Sequence, residues 1–237
     1  YDSKGAGKIH GCRWTPEEQP KAILQIVHGI AEFVERYDDF ANYLTKQGFL
    51  VVAEDHMGHG QSINGDGIQG YFHGGWFTAV EDSIQLLEDT RKEYPELPYI
   101  LFGHSMGSFM ARTILCKYPD CGLTAAVICG TGSCVFVRKG EKQYHYGGWG
   151  YLFDQAGSGY DVGKDAIRCT LAAEDGLQPD SILTGLVRQA LGGNAFDNIS
   201  TIYKKGSPYI AGFARYVLQA AGAGDSSAVA VLQENAE

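Results

Sequence analysis

Ser105 stands between two glycines in Gly103-His104-Ser105-Met106-Gly107, and it is the residue of this chain best suited to nucleophilic chemistry. A serine hydroxyl at its free pKa is a weak nucleophile, so it needs a base and a hollow that stabilises developing negative charge. The G-x-S-x-G spacing builds the local part of that machinery. A sharp strand-to-helix turn lifts the hydroxyl above the sheet edge, and small flanking residues let the strand and helix pack closely. The turn also aims the backbone N–H of Met106, at a helix start, toward a substrate oxygen. A second donor is expected from the end of an earlier strand, in "IVHGIAEF" (26–33), where the N–H of Ile30 would pair with that of Met106. A competing reading makes Ser105 a plain helix cap.

The elements needed to position these groups are legible around them. "AILQIV" (22–27), "FLVVAED" (49–55), "PYILFG" (98–103) and "TAAVICG" (124–130) read as buried strands, short and aliphatic. "KIHGCRWTPEE" (8–18) reads as an earlier strand and turn. "YDDFANYLTKQ" (37–47), "WFTAVEDSIQLLEDTRKEYP" (76–95) and "MGSFMARTILCKYP" (106–119) carry apolar residues at helical spacing. Strands alternating with helices predict an α/β fold with a mostly parallel sheet covered on both faces. Beyond residue 135 the character changes to Gly- and Tyr-rich sequence without a clear aliphatic strand. "DSILTGLVRQAL" (180–191) and "YIAGFARYVLQAA" (209–221) are the helices expected there, and the last residues look loosely specified.

Four motifs in fixed order carry a resemblance. His28-Gly29 with Glu32, then Arg36-Tyr37, then Asp55 with Gly58-His59-Gly60 and Ser62, and then the Ser105 elbow resemble the monoacylglycerol lipase and lysophospholipase branch of the α/β-hydrolases. The likeness covers about residues 1–135. It implies an α/β-hydrolase fold and hydrolysis of a carboxylic ester, acyl-glycerol or lysophospholipid-like, through an acyl-enzyme on Ser105. In that branch His56 and His59 are structural, and no cofactor is used.

The rest of the triad does not follow the pattern. In α/β-hydrolases the order is Ser, acid, His, with the last two on loops after late strands. Downstream of Ser105 the only histidine is His145, in "EKQYHYGG", with Asp120 and Glu141 as the only carboxylates between them. A polar residue in a lid region is the competing reading of His145. The turn around Asp161 weakly resembles the acid turn of the family, but no histidine follows it. His28 is expected to tie down its own loop, and the side chain of His104 to point to the far side of the turn. His10 and His73 stand alone, and no spacing suggests a metal site.

The chain of 237 residues is expected to hold a hydrolase core over 1–134, a cap over 135–205 after the fourth buried strand, and a C-terminal segment over 206–237. The cap, rich in aromatics at "QYHYGGWGYLF", would form an acyl pocket and make transient contact with lipid, with a plain core role for the same residues as the competing reading. A net charge of −9 argues against nucleic-acid and anionic-membrane partners. No apolar run approaches the roughly 20 residues of a membrane helix. Nothing at the N-terminus points to export, although the missing initiator Met reads as an excerpt. Six cysteines without metal spacing read as free thiols in a reducing cytoplasm. The absent triad histidine leaves a second reading, a catalytically silent binding protein on the same fold.

Overall fold

The computed structural model describes residues 1–63, 68–154 and 157–236, so part of the long loop after the second buried strand lies outside it. The described residues fall into two compact units, residues 1–129 with 134–146, and residues 130–133 with 147–237.

The first unit is built on a seven-stranded sheet of order β1-β3-β2-β4-β5-β6-β7. The strands are β1 (Gly11–Trp14), β2 (Ala22–Val27), β3 (Phe49–Glu54), β4 (Tyr99–His104), β5 (Ala125–Cys129), β6 (Cys134–Lys139) and β7 (Lys142–Gly147). The four aliphatic runs form the parallel centre, β3-β2-β4-β5, while β1 and β6 pair antiparallel at its two sides. Every residue of β2 is buried, as expected for a strand covered on both faces.

Alternation along the strands divides the core in two. Ile23, Val27, Leu50, Val52 and Leu101 pack with α2 (Trp76–Glu93) and α3 (Met106–Lys117) on one face. Leu24, Ile26, Val51 and Ala53 face the other way, toward Val34 and Ala41, the latter on α1 (Asp38–Lys46). Gln25 is fully buried in this centre, where its amide donates to the Ser83 carbonyl (3.0 Å) and accepts from the Tyr99 hydroxyl (2.6 Å).

The sheet runs further than the sequence suggests. Residues 134–147, where the cap is expected to open, continue it as the β6 and β7 strands. Apolar alternation there is short, gives way to Arg138-Lys139-Gly140, and leaves β7 almost wholly exposed, which is why no strand pattern stands out.

The second unit is helical among its described residues: α4 (Gly159–Glu174), α5 (Ile182–Leu191), α6 (Ile199–Ala211), α7 (Ala214–Gly222) and α8 (Ser226–Glu234). Ala166, Leu183, Val187, Ile202, Val217, Ala220 and Ala228 make its core. The expected helix over 209–221 is divided at Gly212-Phe213 between α6 and α7. The loosely specified C-terminal stretch is helical because Asp225 caps α8 through the N–H groups of Ser227 (2.8 Å) and Ala228 (3.1 Å). The same carboxylate accepts from Leu183 N–H (2.7 Å), which joins the starts of α5 and α8.

Candidate active site

Ser105 sits between the end of β4 and the start of α3 at φ 51° and ψ −114°, a conformation that L-residues with side chains rarely adopt. The surroundings over-determine it. Ser105 N–H donates to the Cys129 carbonyl (2.9 Å), and Ser108 Oγ donates to the Gly103 (2.9 Å) and Cys129 (3.1 Å) carbonyls. A Cβ on Gly107 would overlap the Val27 carbonyl and stand 2.8 Å from that of His28. A Cβ on Gly103 would stand 2.6 Å from the Gly107 carbonyl. Glycine at both positions is therefore a packing requirement of the turn. Ser105 itself is exposed, and its hydroxyl makes no hydrogen bond among the described residues.

The loop after β2 lies against this serine. A Cβ on Gly29 would stand 3.0 Å from the Ser105 Cβ. Neither the Ile30 N–H nor the Met106 N–H is engaged among the described residues, and Met106, as the first residue of α3, has no partner within its helix. Ala31, the next residue, also has a positive φ, 58°. Strain at both Ala31 and Ser105 marks this junction as one held in shape by its neighbours.

Glu32 does much of the holding, a role the spacing of the motif did not disclose. Its Oε2 accepts from Gly29 N–H (2.6 Å), from the Tyr37 hydroxyl (2.9 Å) and from His104 Nδ1 (2.9 Å). Burial pushes this carboxyl up, but the hydrogen bonds from His104, Gly29 and Tyr37 outweigh it and bring it down to about 2. One ionised carboxylate thus joins the loop after β2 to His104, the residue before Ser105.

The three buried histidines are framework. His28 Nε2 accepts from His56 N–H (3.1 Å), so the proton must reside on Nδ1, which donates to the Gly29 carbonyl (2.7 Å). Burial, followed by the neighbouring His56, lowers His28 to about 3, and burial followed by His59 lowers His56 to about 3. Both rings stay neutral with their bonds committed to the backbone, so neither is a base for Ser105. Asp55 clips the loops together, its Oδ1 accepting from Val34 N–H and its Oδ2 from Gln61 N–H, each at 2.8 Å.

The weak triad nominees have other partners. His145 is on β7, three strands from β4, or about 14 Å at ordinary strand spacing. Its ring stacks on Phe136, with centroids 4.5 Å apart. Asp161 belongs to the second unit and completes a capping box at the start of α4, accepting from Ser158 Oγ (2.6 Å) and pairing with Lys164 (2.8 Å). Burial would raise its carboxyl, but Lys164 and Ser158 hold it below the usual range. The helix consumes this carboxylate.

A family model described as serine aminopeptidase, S33, matches residues 18–139, and one described as the BadF/BadG/BcrA/BcrD ATPase family matches residues 108–237. The chain belongs to the first family in its N-terminal part and to the second in its C-terminal part. The S33-family part is 41% identical to the monoglyceride lipase of Rattus norvegicus over 114 residues, which is 48% of this chain and 36% of the relative. It is 34% identical to the monoacylglycerol lipase of Mycolicibacterium smegmatis over 113 residues, 45% of this chain and 36% of the relative. The chain thus spans about a third of the length of these curated relatives. Among solved structures, a thermostable carboxyl esterase from Bacillus coagulans in complex with glycerol superposes with a TM-score of 0.52 at 25% identity, covering 81% of this chain and 54% of the other. The α/β-hydrolase fold expected from the four motifs is what these findings show, and they support a lipase- or esterase-type hydrolase. No helix of the described residues is long and apolar enough to cross a membrane.

Proposed function

We propose that the first unit is a serine-dependent carboxylic ester hydrolase for monoacylglycerol- or lysophospholipid-like substrates. The observation that carries this reading is the strained, exposed Ser105 hydroxyl beside two unengaged N–H groups. Ser105 Oγ gives up its proton to solvent as it attacks the ester carbonyl carbon, and the carbonyl oxygen becomes an oxyanion held by the N–H groups of Ile30 and Met106. Collapse expels the alcohol, which takes up a proton, and leaves an acyl-enzyme on Ser105 that water then cleaves. Ile30, Phe33 and Phe109, on the oxyanion loop and the first turn of α3, are 62%, 43% and 63% exposed and offer apolar surface for an acyl chain.

The acid and base that complete such a site have no counterpart bonded to Ser105 among the described residues. Without them, turnover would rest on the oxyanion hole and substrate binding, which alone retain about 10³–10⁴-fold acceleration in a hydrolase stripped of a triad member. Treatment with a fluorophosphonate followed by intact mass measurement tests the reading. One adduct is expected, absent in Ser105→Ala. A protein that stays unmodified, or an adduct that survives Ser105→Ala, would overturn it. A panel of monoacylglycerols, lysophospholipids and N-terminal proline peptides then separates the ester reading from a peptidase.

The second unit supports a separate reading, nucleotide binding, because its stretch falls in an ATPase family. Calorimetric titration with ATP checks it, and absence of binding heat and of thermal stabilisation would refute it.

A further inference from the structure

A second group of reactive side chains in the first unit gathers away from Ser105. His10 and Cys12 flank Gly11 at the start of β1, and period-two alternation puts both on one face of the strand. Glu35 reaches them from the 3₁₀ turn Val34–Tyr37 that follows the oxyanion loop. His10 Nε2 lies 3.3 Å from Cys12 Sγ and 3.6 Å from Glu35 Oε1. One donor atom from each of the three residues falls within 4.8 Å of the other two. Tetrahedral zinc, with bonds of about 2.3 Å to sulfur and about 2.0–2.2 Å to nitrogen and oxygen, keeps its ligand atoms about 3.4–3.6 Å apart. The His10–Cys12 and His10–Glu35 separations match that spacing, and Cys12 and Glu35 lie within 4.8 Å of each other.

The scaffold behind these three groups is already built. Asp55 N–H donates to the His10 carbonyl (2.9 Å), and His10 N–H donates to Ser62 Oγ (2.8 Å). Gln61 Nε2 donates to Glu35 Oε1 (2.6 Å) and orients that carboxylate, as outer partners do for ligating groups. The His10 and Glu35 side chains are 29% and 35% exposed, so water can reach a fourth position. The carboxylates of Glu35, Asp55 and Asp38 create a negative field around Cys12 that a dication would relieve. A thiol, an imidazole and a carboxylate together suit zinc and exclude magnesium and calcium, which take oxygen ligands.

We propose that His10, Cys12 and Glu35 form a zinc site with three protein ligands and a fourth position open to water. Binding forms a zinc–sulfur bond and breaks the Cys12 S–H bond, releasing the proton to solvent. Occupancy ties β1 to the turn that carries Glu35 and does not depend on what Ser105 does.

Metal-free protein titrated with Zn²⁺ against a chromophoric chelator, and with Co²⁺ followed by thiolate-to-metal charge-transfer absorption, tests the site. One equivalent of zinc and a charge-transfer band are expected. Cys12→Ser abolishes the band, while His10→Ala and Glu35→Gln each weaken zinc binding by about tenfold or more. Cys116→Ser, at an exposed cysteine elsewhere, leaves both measurements unchanged. Glu35→Gln changes a half-exposed side chain with nearly the same shape, so it reports on binding if Cys12→Ser fails to fold. Absence of the band, its survival in Cys12→Ser, or unchanged affinity in both His10→Ala and Glu35→Gln would overturn the proposal.

Discussion

Two regions of one sheet treat their residues very differently. Around β2 and β4 the neighbours of Ser105 are fixed by contact: Gly107 lies against the Val27 carbonyl, Gly29 against Ser105, and Glu32 holds three donors at once. On β7, Lys142–Tyr146 are exposed, and His145 stacks on Phe136. Ser105 and the loop after β2 depend on close backbone approach, which a protein must specify residue by residue. The hairpin edge imposes no such demand, and it offers Ser105 no partner for proton transfer.

Gly107→Val would break this contrast most forcefully. Its side chain has no space beside the Val27 and His28 carbonyls, so a loss of about 4 kcal/mol or more is expected in urea unfolding, enough to prevent folding of a marginal domain. A Gly107→Val protein with an unchanged midpoint would mean that the close approach is wrong. Next comes Glu32→Gln, which keeps the shape of the side chain but loses the charge that gathers Gly29, Tyr37 and His104. The fluorophosphonate labelling rate of Ser105 should fall about tenfold or more as the loop after β2 loosens.

Acid titration sharpens the comparison. His28 and His56, held near 3 against about 6.5 in an unfolded chain, make stability decline once pH drops below about 6.5, because the unfolded state binds protons first. Glu32 adds to the decline lower down. Its carboxyl sits at about 2 in the fold and about 4.3 unfolded, so its contribution is complete above about pH 4.3 and is lost as pH falls toward 2. Thermal melts should show a shallower fall over that last interval in Glu32→Gln than in the parent.

Ser105→Gly tests the strain in the other direction. Glycine adopts φ 51° without a Cβ penalty, so stability should rise by about 1 kcal/mol while labelling disappears. His145→Ala should do least, shifting stability by no more than about 0.5 kcal/mol and leaving the labelling rate unchanged. A large drop in labelling would restore His145 as the base.

How far the sequence could be read follows the same divide. The elbow stood out because a buried strand, two glycines and an amphipathic helix converge within a few residues. His28 was readable as a loop anchor for a similar reason, since its bonds go to the adjacent Gly29 and to one further loop. Glu32 was visible within a motif, but its partners His104 and Tyr37 lie on other elements, so its function appears only in three dimensions. His10 looked solitary because Cys12 and Glu35 meet it through the packing of β1 against a distant turn. Helix α4 was obscured by its glycine-rich opening, although Ser158 followed three residues later by Asp161 is a capping-box signal. The β6–β7 hairpin had too little alternating apolar sequence to register.

The buried amide of Gln25 has a consequence for the serine several residues up the sheet. Gln25 lies opposite Leu101 and Val27 opposite Gly103, and the amide finds Ser83 and Tyr99 only in that alignment. Sliding β2 by one position would strand it between oily faces, at a cost of about 1–3 kcal/mol. The same slip would drag Gly29 and Ile30 off Ser105. One side chain in the middle of the sheet therefore works as an alignment pin, and the placement of Gly29 against Ser105 is set well below the surface on which it lies.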